Sequence, residues 1–158
     1  MRMKFSLLSI VVLLTIGIAG CKKDDNEEID TEYPEIISTA NSFPQQCGVL
    51  MRGQTVTIKT TFSDNRELGA YSLDIHHNFD QHNHSTEVNN CTFEAKKTPV
   101  KPFVFIQDYS IPAGSKRYEA TAQITIPADA DTGDYHFMIR LTDKEGWQTI
   151  KGLSIKIQ

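Results

Sequence analysis

Four of the chain's five histidines fall within nine residues: His76, His77, His82 and His84. Asp74 and Asp80 sit among them, in Asp74-Ile75-His76-His77-Asn78-Phe79-Asp80-Gln81-His82-Asn83-His84. Imidazole and carboxylate are the donors from which zinc, copper, nickel and iron(II) build sites in proteins. The window therefore reads as a transition-metal site, with His76, His82, His84, Asp74 and Asp80 as candidate ligands. The bland alternative is a solvated loop that is merely rich in histidine. His136 lies far along the chain and could join only if the fold brings it back. Other chemistries find less support. There is no nucleophile elbow, phosphate loop or zinc-protease helix motif, so catalysis is not expected.

The segments around these residues alternate with period two and are broken by Gly, Pro, Asn and Asp, which is the pattern of strands. Thr55–Phe62 puts Val56, Ile58, Thr60 and Phe62 on one face. Ala70–His77 puts Tyr71, Leu73 and Ile75 on one face, with Asp74 and His76 on the other. Tyr118–Ile126, Asp134–Leu141 and Leu153–Ile157 alternate in the same way, and Pro34–Ser38 and Phe103–Tyr109 are two more strands. Seven short strands with turns between them read as an all-β, immunoglobulin-like β-sandwich. In that fold Ala70–His77 and Asp134–Leu141 would be the neighbouring strands C and F. Their outward faces would then carry His76 beside His136. The loop after strand C would fold back with His82 and His84, whose i, i+2 spacing suits one face of an extended segment. His77 points to the opposite face and ranks lower.

Asp131-Thr132-Gly133-Asp134-Tyr135 resembles the tyrosine corner that precedes strand F. Asp64 and Asp143 raise calcium, but no segment has the acidic density of a calcium loop, so turn chemistry is the better account. Trp147 is the one candidate for an exposed aromatic platform, or for a cap on the core.

The start of the chain speaks to location. Arg2 and Lys4 precede an apolar run from Phe5 to Ala19, the form of a secretory signal peptide. Ile18-Ala19-Gly20-Cys21 resembles a bacterial lipobox, which makes Cys21 the lipidated residue. Lys22-Lys23-Asp24-Asp25-Asn26-Glu27-Glu28 is a solvated tether. It also looks like the acidic signal that sends some lipoproteins to the outer face of the outer membrane. The expected organisation is a signal peptide over 1–20, a lipidated tether over 21–33 and a single sandwich domain over 34–158. Expected display is at the cell surface, the periplasmic face being the alternative. Removing residues 1–20 takes away Arg2 and Lys4 and moves the formal charge from −4 to −6. An acidic domain excludes nucleic acid as an expected partner. Cys47 and Cys91 would pair in an oxidising compartment, or else serve as buried thiols or thiolate ligands.

Several of these stretches together resemble an uncharacterised family of bacterial surface lipoproteins, domain of unknown function 4625. They are Asp74–Asp80 with His82 and His84, Phe103–Tyr109, Gly133–Phe137 and Leu141–Trp147. The resemblance runs from about Pro34 to the end. It implies a lipoprotein and a sandwich, and no known activity. Two functions follow from the residues. One is a surface module that captures zinc, copper, nickel or iron and hands it to an outer-membrane transporter or another surface protein. The other is a non-catalytic protein- or glycan-interaction module in which metal is at most structural.

Overall fold

Burial alternates along each main strand, and the sheets follow from it. The computed structural model describes residues 29–84, 86 and 91–158. Cys21 and the signal segment lie outside them. There is no helix among the described residues, so none could cross a membrane. The strands are β1 (Glu35–Ile37), β2 (Gly48–Leu50), β3 (Thr55–Ser63), β4 (Leu68–His77), β5 (Phe105–Ser110), β6 (Arg117–Thr125), β7 (Gly133–Asp143) and β8 (Gln148–Ile157). All seven expected strands are present, and the short β2 is an addition. β8 also starts at Gln148, earlier than the alternation from Leu153 suggested.

Two sheets form, in the orders β1-β3-β6 and β2-β8-β7-β4-β5. Between them lie Ile58 and Phe62 of β3, Ala120, Ala122 and Ile124 of β6, Leu73 and Ile75 of β4, and Tyr135, Phe137, Ile139 and Leu141 of β7. These are the inward positions that the alternation predicted. The tyrosine corner is formed: the Tyr135 hydroxyl donates to the Asp131 carbonyl at 2.7 Å and accepts from Phe103 N at 3.1 Å.

The long connection from β4 to β5 is tied down by side chains of β7 and the turn before it. Asp131 Oδ2 accepts from Val100 N and Lys101 N, each at 2.7 Å. Buried Asp134 accepts from Glu94 N at 2.7 Å and pairs with Lys156 at 3.4 Å. Phe79 is buried and meets the Tyr135 ring edge-on, with centroids 5.3 Å apart. Gly133 makes room for it: a Cβ there would sit 3.1 Å from Phe79 Cε1, on a backbone with φ +125°. Cys47 and Cys91 are joined in a disulfide, so neither serves as a thiolate ligand.

At the other end the packed chain begins earlier than residue 34. Asp30 is buried, and the Trp147 indole donates to its carbonyl at 2.8 Å. The Tyr33 ring lies 4.9 Å from that of Trp147. Thus the last residues assigned to the tether rest on the β7–β8 turn, because an aromatic side chain and a carbonyl find partners there.

Candidate metal centre

β4 and β7 run antiparallel, with His76 directly opposite His136. Side chains on opposed residues of neighbouring strands share a face, so both imidazoles leave the sheet on its outer side. Ser154 of β8 continues the same row beside His136. Outward on this sheet does not mean exposed. His136 is fully buried, because the chain after β4 returns across the row. Asn78 N donates to Asp134 O at 2.8 Å, and Gln81 takes a left-handed backbone conformation (φ 59°), turning the loop back. Gln81 Nε2 then holds Glu94 O at 2.8 Å. Further on, the disulfide at Cys91 pins the chain beside β8, where Cys47 N donates to Ser154 O at 2.8 Å.

This path brings His82 and His84 over the sheet. One ring nitrogen from each of His76, His82, His84 and His136 lies within 4.8 Å of the other three. All six ring-centroid separations fall between 4.6 and 5.7 Å. A tetrahedral ion bound to four imidazoles at about 2.0–2.1 Å sets nitrogens about 3.4 Å apart and ring centroids about 5.2 Å apart. His76 Nε2 and His84 Nε2 are 3.1 Å apart. Four rings at near-equal mutual distances surround a point, whereas a histidine-rich solvated loop would scatter them.

The two aspartates take a different place from the one expected. Asp74 Oδ1 is 2.8 Å from His76 Nδ1, and Asp80 Oδ1 is 2.6 Å from His82 Nδ1. Neither belongs to the group of converging ligand atoms. Each carboxylate instead accepts the Nδ1 proton, which leaves Nε2 as the free donor atom and fixes the ring's orientation. Metal-binding histidines are commonly held in this way, and the partner raises the ring's basicity. The Asp80 carboxyl is held below the usual range, mainly by the hydrogen bond from His82. The sequence did carry this signal. Asp74-Ile75-His76 and Asp80-Gln81-His82 are both Asp-x-His, and in extended chain that spacing places carboxylate and ring on one side.

His77 falls outside the cluster. It stands on the other face, and its ring packs on Phe79 at 4.9 Å. A groove of about 320 Å³ opens beside the cluster, lined by His76, His84, Asp74, Met138, Arg140 and Ile106.

A family model described as a domain of unknown function, DUF4625, matches residues 19–158. The chain belongs to this family. No curated protein matches the chain. The family's description carries no activity, so the histidine geometry has to speak for the function.

Proposed function

We propose that this protein is a surface-displayed lipoprotein whose sandwich binds one transition-metal ion through His76, His82, His84 and His136. The observation that carries the proposal is the near-equal spacing of the four rings, two of them turned by aspartates so that Nε2 is the donor. Zinc ranks first, since it takes tetrahedral nitrogen sites without a geometric preference of its own; copper, nickel and iron(II) follow. Four protein ligands fill a tetrahedron and leave no open position for substrate, which favours capture, buffering or a structural role over catalysis. The groove beside His76 and His84 gives an ion a route in and out, as transfer to a transporter or another surface protein would need. Anchoring through Cys21 rests on the lipobox and the apolar run before it. The Cys47–Cys91 disulfide supports an oxidising compartment outside the cytoplasm.

The competing reading, an interaction or glycan-binding module, draws less support from Trp147 than an open platform would give it. Trp147 is half-buried, its indole donating to the Asp30 carbonyl and its ring packed against Tyr33.

Loading the untagged protein with excess zinc, copper or nickel, desalting it and counting metal by mass spectrometry tests the proposal. About one ion per chain is expected, lost in the His76→Ala/His82→Ala/His84→Ala variant. No retained metal under any loading would overturn the reading. Fast exchange of bound ion with a chelator would mark capture and transfer, and slow exchange with a raised Tm would mark a structural staple.

A further inference from the structure

A second polar cluster lies at the far end of the β4–β7 ladder, about 23 Å along β7 from His136. Asp143 closes β7, and its Oδ1 accepts from Gly146 N at 2.6 Å and Trp147 N at 2.8 Å. This is the turn chemistry expected of it. Asp30 Oδ1 is used in the same way, by Glu32 N at 3.0 Å and Asn65 Nδ2 at 2.8 Å. The other oxygen of each, Oδ2, is buried and has no hydrogen-bond partner. Both residues are only 4% exposed. Asp64, the chain neighbour of Asn65, has a third such oxygen, Oδ1. One oxygen from each of Asp30, Asp143 and Glu145 lies within 4.8 Å of the other two.

A carboxylate oxygen withdrawn from water and given no donor is costly. The turn's own N–H groups are already spent on Oδ1. Arg66 is the nearby cation, with Nη1 3.9 Å from Glu145 Oε1. It is the lesser influence on Asp30, whose carboxyl is held low first by the Asn65 and Glu32 hydrogen bonds. Three carboxylates against one guanidinium leave two negative charges. A hard divalent cation supplies that charge, and carboxylate oxygens without donors are the ligands it takes.

We infer that Asp30, Asp143 and Glu145 bind one calcium ion, separate from the histidine centre, with water or carbonyl oxygens completing its shell. The ion joins the segment 30–33 to the β7–β8 turn, and so fixes how the chain coming from Cys21 meets the sandwich. Affinity in the range of extracellular modules is expected, about 10⁻⁴–10⁻³ M.

Trp147 makes the test specific, because it is the chain's single tryptophan and donates to the Asp30 carbonyl. Terbium added to the untagged protein should luminesce when the tryptophan is excited, and calcium should displace it. Calcium at ten times Kd should raise Tm by about 5 °C. Asp143→Asn keeps an oxygen for the turn and should abolish both effects. Glu145→Gln, at an exposed position, should fold normally and weaken calcium several-fold. His76→Ala/His84→Ala should leave both signals intact. Sensitised luminescence that persists unchanged in Asp143→Asn and Glu145→Gln would overturn the assignment, as would the absence of any terbium or calcium response in the folded protein.

Discussion

The four histidines come in two pairs that are held by different means. His76 and His136 are set by strand register, opposite one another in the middle of a five-stranded sheet. His82 and His84 ride on a connecting segment held by Phe79, a left-handed turn at Gln81 and a disulfide further on. The first pair is as rigid as the sandwich. The second lies outside any strand, between β4 and β5. A metal site built half on a sheet and half on a loop would keep its geometry in waiting and could still open, as the proposed transfer of an ion requires.

The comparison can be broken most strongly at the disulfide. Cys47→Ser/Cys91→Ser removes a cross-link between residues 44 apart, worth about 4 kcal/mol on chain-entropy grounds. The urea midpoint of the metal-free variant should fall accordingly, and zinc should recover part of the loss by cross-linking the segment carrying His82 and His84 to β4 and β7. Equal zinc affinity in variant and parent would show that the loop pair needs no tether. Gly133→Ala comes next. Its added Cβ would push on Phe79 and hold an unfavourable φ, costing about 2 kcal/mol by chemical denaturation, with weaker metal retention.

The aspartates then set the two pairs against each other directly. Asp74→Asn, on the sheet, should lower metal affinity about 10- to 100-fold by competition with a chromogenic chelator. Asp80→Asn should cost less, because its pair is more exposed, with side chains 37% and 68% accessible against 25% and 36% for His76 and Asp74. The reverse order would mean that the loop ring, not the sheet ring, governs binding.

The smallest effect concerns the far part of the loop. The Asp131 carboxyl is held low, first by Val100 N and also by Lys101 N. A depressed carboxylate stabilises above its unfolded value of about 3.9 and loses that contribution as pH falls through its folded one. Protection factors of the Val100 and Lys101 amides should therefore fall below about pH 4, while those in β7 hold.

Much of this was legible in the residues. Alternation gives the inward faces, and strand C beside strand F places His76 next to His136. Asp134-Tyr135 gave the corner that the hydroxyl of Tyr135 completes. What could not be read depended on contacts remote in sequence. Burial of His136 comes from a loop crossing it, and β2 exists because Gly48–Leu50 finds β8, pairing in parallel. Asp30 looked like tether because its partners, Asn65 and Trp147, lie far along the chain. The place of the aspartates is illegible for a different reason. Carboxylates can ligate or orient, and only the distance to Nδ1 separates the two.

The bridge from Cys47 to Cys91 also sets a timetable. While both thiols are reduced, the loop half of the proposed metal centre would keep its contacts through Phe79 and Gln81 but lack its covalent tie. On the proposed function, oxidation would be the step that completes the centre, and a protein still in a reducing compartment would compete poorly for the ions there. Selectivity of this kind is written into the order of bond formation and does not depend on the affinity of the finished site.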